Sequence, residues 1–169
     1  MGPDLNIYGL TNRRDLKTIN QCLDTYVDRE QSELRDDEEL MMLKVNSEEA
    51  PEDDEYDWEP AITLTHSIQR GLDHPKRCSS LYIKSKLPEI SGAILRFTID
   101  DKLVIGFSVD DSEDKEETLE FAKALLRKII HVFDCSPGFI MFEEPPPDDE
   151  QNFKMKISSE YSLYSLGAS

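Results

Sequence analysis

The alternation of apolar and polar positions is sharpest over residues 103–109. Leu103, Ile105, Phe107 and Val109 fall on one side there, and Val104, Gly106 and Ser108 on the other. A period of two places successive side chains on opposite faces of a strand. Ile94, Leu95, Phe97 and Ile99 supply a second arm, with Asp100-Asp101-Lys102 as the turn, so this stretch reads as a hairpin. Residues 5–10, 40–45 and 81–83 are shorter apolar strands, and the wholly apolar run 139–142 suits a place inside a sheet.

A period of three to four marks the helices. Leu16, Ile19, Leu23, Tyr26 and Val27 predict an amphipathic helix over 13–29, with Asn12 as its cap and Asp15 reaching back. Leu119, Ala122, Leu125, Leu126, Ile129 and Phe133 form the stripe of a second helix over 112–134. That helix is capped by Asp110-Asp111-Ser112, with acidic residues early and basic residues late, as the helix dipole favours. Ala61, Leu64, Ile68 and Leu72 suggest a helix over 60–73, with Pro60 at its first position and Gly71 weakening its end. Pro145-Pro146-Pro147 is expected to end strand pairing. Tyr161, Leu163, Tyr164 and Leu166 then give a tail that either docks as a short strand or stays disordered.

Adjacent strands mixed with helices favour an α+β fold, a mostly antiparallel five- or six-stranded sheet with two or three helices packed on one face. A length of 169 residues suits one domain, drawn here over 1–152 with 153–169 as the tail. Hydrophobic content is 38%, and a deficit of that kind implies that part of the chain is solvated. Ser47 to Asp57 is the clearest such part, since it is acidic with no basic residue. The segment 46–57 is therefore expected to be a mobile loop.

Charge sharpens that picture. The formal net charge is −17, and residues 30–57 hold thirteen acidic residues against Arg35 and Lys44, which places −11 of it in one segment. Phosphate binding rests on Lys and Arg, so direct nucleic-acid binding is disfavoured; Arg13-Arg14 and Lys76-Arg77 are too small a basic set. No apolar run approaches the ~20 residues of a membrane span. No secretory leader pattern opens the sequence, and a cytoplasmic location is the expectation. Cys22, Cys78 and Cys135 are odd in number and widely spaced, which points to reduced, buried thiols.

Candidate chemistry is sparse. His66, His74, His131 and the cysteines lack the paired spacing of a zinc site, and no metal or cofactor is expected. Asp100-Asp101 and Asp110-Asp111 sit at opposite ends of one strand and suit turn and cap roles. Gly106-Phe107-Ser108-Val109-Asp110 misses the nucleophile elbow at its last residue, and Ser108 lies within a strand. His131 and Cys135 stand four apart, but a thiol at a helix C-terminus gains nothing from the dipole. No catalytic residue is assigned.

The acidic surface remains. A concentrated negative segment steers cationic partners and raises their association rate. The expectation is a non-enzymatic acidic protein that binds a basic protein partner, as an inhibitor or immunity-type protein would. The binding residues would be Glu48, Glu49, Glu52, Asp53, Asp54, Glu55, Tyr56, Asp57 and Trp58, with the aromatics as anchors. Two alternatives stand beside it: a small hydrolase or other enzyme whose carboxylates converge only in the fold, and a regulatory or scaffold domain kept soluble by its charge.

Overall fold

The computed structural model describes residues 4–30, 40–45, 56–60, 63–110 and 115–167. The architecture is α+β. The strands are β1 (Asp4–Thr11), β2 (Leu40–Val45), β3 (Tyr56–Pro60), β4 (Cys78–Lys84), β5 (Gly92–Phe97), β6 (Leu103–Asp110), β7 (Gly138–Phe142) and β8 (Tyr164–Leu166). They form one sheet in the order β3-β2-β4-β5-β6-β1-β7-β8, and each neighbouring pair is antiparallel. Helices α1 (Leu16–Tyr26), α2 (Leu64–Asp73), α3 (Lys115–Phe133) and α4 (Glu150–Ile157) complete the set named here.

The hairpin alternation decides which face is which. Leu103, Ile105, Phe107 and Val109 enter the larger core with Ile19, Leu23, Leu64, Ile68, Leu126 and Ile129, so α1, α2 and α3 share that face. Val104 turns the other way and joins Tyr8, Leu10, Ile94, Phe139, Met141 and Phe153 in a smaller core. Strand β1 lies between β6 and β7 and contributes to both cores, Leu5 and Ile7 to one, Tyr8 and Leu10 to the other. Burial on both faces is why its sequence is nearly continuous in apolar residues.

The six expected strands are present, and two more extend the sheet. Tyr56–Pro60, placed by sequence in a loop and at a helix start, is the outermost strand β3, in register with Met41 to Val45. Proline has no N–H to donate, and an edge strand is where that lack is tolerated. The following helix starts at Leu64 instead of residue 60, because Thr63 caps it and accepts from the His66 N–H at 3.0 Å. Of the two alternatives for the tail, docking as a strand is the one found: Tyr164–Leu166 pairs with β7 as β8, so Pro145-Pro146-Pro147 does not end pairing. Residues 153–169 are not simply a tail either. The boundary at 152 falls inside α4, whose cap Asp149 accepts from the Asn152 N–H at 2.7 Å and whose Phe153 is fully buried on the second face.

Smaller corrections follow the same logic. Asp15, not Asn12, caps α1, accepting from the Thr18 N–H at 2.8 Å, and the helix ends at Tyr26. The cap expected for α3 at Asp111 and Ser112 lies outside the described residues, and the helix is described from Lys115. Gly71 lies inside α2, which runs on to Asp73, and packing requires it, since a Cβ there would stand 2.5 Å from the Phe97 ring.

Candidate functional site

The predicted binding residues divide into two groups. Glu48, Glu49, Glu52, Asp53, Asp54 and Glu55 lie outside the described residues. Tyr56, Asp57 and Trp58 stand on β3, at the register positions of Val45, Lys44 and Leu43. The expected loop over 46–57 is thus shortened by Tyr56 and Asp57, which are strand. Residues 31–39 run into the start of β2 and residues 46–55 connect β2 to β3, so both acidic stretches attach to one margin of the sheet.

The other sequence candidates resolve into structural roles. Asp101 occupies the left-handed region at φ 62° in the hairpin turn, and its carboxylate lies 3.7 Å from Arg14 Nε. Asp100 accepts from the Glu150 N–H at 3.0 Å and so ties the turn to α4. Asp110 ends β6, and Asp111 lies outside the described residues. Ser108 is within β6, where its Oγ accepts from Asn6 Nδ2 at 2.9 Å. Cys135 is buried while His131 is exposed. Burial, and next the Asp134 carboxylate, push the Cys135 thiol up to about 12. Such a thiol supplies almost no thiolate at neutral pH. All three cysteines are free and buried.

Of the basic pairs, Arg14 is not part of a free surface. Arg14 is a buried staple. Its Nη1 donates to the Thr98 carbonyl at 2.7 Å and the Lys102 carbonyl at 3.2 Å, and its Nη2 to Gly71 at 2.6 Å and His74 at 2.9 Å. The guanidinium also lies 5.2 Å from the centre of the Phe97 ring, so one side chain holds the hairpin turn against α2.

Sequence reasoning missed a polar cluster on the second face. Arg96, 4% exposed, donates from Nη1 to Ser80 Oγ at 2.6 Å and pairs through Nη2 with Asp148. Cys78 Sγ is 3.9 Å from the same Asp148 carboxylate. Burial pushes the Cys78 thiol up to about 12, with Arg96 opposing and Asp148 adding to the rise. Asp148 ends a strap over 143–148. The strap's other end is held by Asn6 Oδ1, which accepts from the Glu144 N–H at 2.8 Å, and by Tyr8 Oη, which donates to the Glu144 carbonyl. Lys156 pairs with the Glu144 carboxylate, so α4 and the strap are fastened together. The signal in the sequence was Arg96 itself, a charge inside the apolar arm Ile94-Leu95-Arg96-Phe97. A buried charge needs a partner, and no local residue supplies one.

Chemically, this cluster holds the strap: the two terminal nitrogens of the guanidinium meet the hydroxyl and the carboxylate, while its buried Nε has no hydrogen-bond partner. A groove of about 260 Å³ beside α4 is lined by Ser136, Pro137, Lys154, Ser158 and Gly167. Its Lys154 is paired with Glu150 at 3.4 Å. Among the described residues there is no grouping of three His, Cys, Asp or Glu that would hold a metal ion, and no helix long and apolar enough to cross a membrane. No family model matches the chain, and neither does any curated protein or solved structure.

Proposed function

We propose that this chain is a non-enzymatic interaction protein whose acidic sheet margin binds a basic protein, in the manner of an inhibitor or immunity-type protein. The reading rests on one observation. A segment carrying −11 of the net −17 is attached, through β2 and β3, to a single edge of the sheet. Charge held on one side of a molecule gives it a direction. It draws a cationic partner to that side and repels a second acidic molecule from it. Tyr56 and Trp58 bring aromatic residues to the same margin, the residue type that most often anchors a protein interface.

The test compares the native chain with a variant in which Glu48, Glu49, Glu52, Asp53, Asp54 and Glu55 become Gln or Asn. Each is used to capture partners from lysate at low and moderate salt. The native chain is expected to retain a basic protein at low salt and release it as salt rises, because screening shortens the reach of exposed charges. The variant is expected to retain little. Equal capture by both chains, or capture indifferent to salt, refutes the proposal.

A further inference from the structure

We propose that the second face of the sheet is a docking groove for an extended proline-rich segment that carries a carboxylate, that the chain's own strap occupies it, and that a matching segment of a partner protein displaces the strap. Pro145-Pro146-Pro147 is the chain's only run of consecutive prolines, and Asp148 follows it. Proline fixes its own φ, and a residue before a proline is held extended, so the strap is set in the polyproline form. A segment in that form loses little freedom on docking, and grooves that carry aromatic side chains recognise it.

The face holds the strap in the manner of a bound peptide. At one end Asn6 Oδ1 accepts from the Glu144 N–H at 2.8 Å, and Tyr8 Oη donates to the Glu144 carbonyl. Pro146 and Pro147 are buried. At the other end the Ile99 N–H donates to the Asp148 carbonyl at 3.0 Å, and Arg96 pairs with the Asp148 carboxylate. Tyr8 belongs to the smaller core, and Tyr82 packs against that core. Three prolines offer no N–H to a ladder, so the strap's attachments gather at its two ends.

The occupant in cis fills the site incompletely. A guanidinium presents Nε and Nη2 along one edge, and a carboxylate can meet both with its two oxygens. Asp148 reaches Nη2 through Oδ1 alone, and the buried Nε of Arg96 has no hydrogen-bond partner. The Asp148 side chain is 44% exposed and that of Arg96 5%, so a competing carboxylate meets the pair from the Asp148 side. The exchange replaces one negative charge by another, and the buried guanidinium keeps a counter-charge throughout. The strap is tethered, so it competes at an effective concentration of at least the order of millimolar. Apparent affinity for a free segment falls in proportion to the small fraction of molecules whose strap is open.

A labelled peptide, Glu-Glu-Pro-Pro-Pro-Asp-Asp capped at both ends, is titrated with the full chain at about 0.15 M salt, where exposed charges act over about 8 Å. Weak but saturable binding to the native chain is expected. The same peptide with Asn for both Asp should bind about tenfold more weakly, because it cannot make the charge-assisted pair with Arg96. The Asp148→Asn chain, whose own strap lacks the carboxylate, should bind the original peptide about tenfold more tightly than the native chain does. Hydrogen exchange supplies a second readout: the Glu144 amide of the native chain should exchange faster in the complex, as the strap leaves Asn6, while α3 is unchanged. The peptide series on the native chain is decisive whether or not the variant folds. No saturable binding to the native chain, equal binding of the Asp and Asn peptides, or a Glu144 amide that exchanges no faster in the complex would each overturn the proposal. A natively folded Asp148→Asn chain that binds no more tightly would overturn it too.

Discussion

Asp4 and Glu150 carry the same chemical group in opposite settings. Asp4 faces Asp110 across the β1–β6 register, and partial burial, Asp110 and Glu143 together raise its pKa. Glu150 accepts a hydrogen bond from Lys102, which lowers its pKa; Lys154 acts in the same sense. The two signs give opposite pH dependences. A carboxyl whose folded pKa is raised weakens the fold progressively as pH rises through the window between its unfolded and folded values. One whose folded pKa is lowered adds stability that is present above the unfolded value and lost as pH falls through the folded one. Asp4→Asn is therefore expected to raise the urea midpoint at pH 7, with the gain disappearing as pH falls below the usual carboxylate range. Lys102→Met should lower the midpoint at pH 7 and converge with the native chain in acid. Parallel urea titrations from pH 3 to about 7 read both slopes, since each departs from an ordinary carboxyl value near 4. A midpoint for Asp4→Asn that falls at neutral pH would show that its carboxylate is instead held by a favourable contact.

At the scale of elements, α4 depends on few attachments. Phe153 is its one fully buried side chain, packed against Phe139 with ring centres 4.8 Å apart, and the Lys102–Glu150 and Lys156–Glu144 pairs fasten its ends. Truncating a buried Phe costs about 3–5 kcal/mol, less where the site relaxes. Phe153→Ala is expected to lie near the lower end, because a short helix over one sheet face can settle onto the gap. Urea unfolding measures the loss, and hydrogen exchange should show 150–157 deprotected before α3. Equal deprotection of both helices would mean that α4 is integral to the main cooperative unit. This helix is also where the sequence was least legible. The 94–109 hairpin, α1 and α3 declare themselves because each buries a wide stripe in one core, and periodicity records such burial. α4 buries one residue and leaves no period to read, although Asp149 and the lysines of its last turn, Lys154 and Lys156, were capping signals. β3 misled for another reason. Pro60 is compatible with a helix start and with the end of an edge strand, and the choice depends on β2, which lies beside it only in the fold. Of the candidate site, the acidic segment was legible as charge. Its attachment to a single margin depended on strand order, which a linear pattern does not encode.

At the scale of the whole molecule, the sheet runs from β3 to an uncharged β8 with helices on both faces, and the acidic stretches lie next to β2 and β3 in the chain. Three basic side chains near the second face or the hairpin turn, Arg14, Arg96 and Lys102, are already paired with Asp101, Asp148 and Glu150. Their charge is already engaged. The acidic residues of 30–57 are close in sequence and repel one another over a range set by salt, about 30 Å at 0.01 M and 10 Å at 0.1 M. Converting Glu48, Glu49, Glu52, Asp53, Asp54 and Glu55 to their amides changes the net charge from −17 to −11. If those carboxylates serve a partner and not the fold, their removal relieves repulsion. The variant should melt at the same temperature or higher than the native chain at low salt, and its melting should vary less with added salt. Thermal melts at 0.01 M and about 0.5 M salt read both effects, since screening is weak at the first concentration and strong at the second. A variant that melts lower at every salt concentration would place the six carboxylates in structural contacts. A variant that melts normally, still captures the partner and differs only in solubility would reduce the acidic margin to a colloidal role. Stability retained or raised, together with loss of capture, is the combination a binding margin requires, because a surface kept for a partner is maintained against its own electrostatic cost.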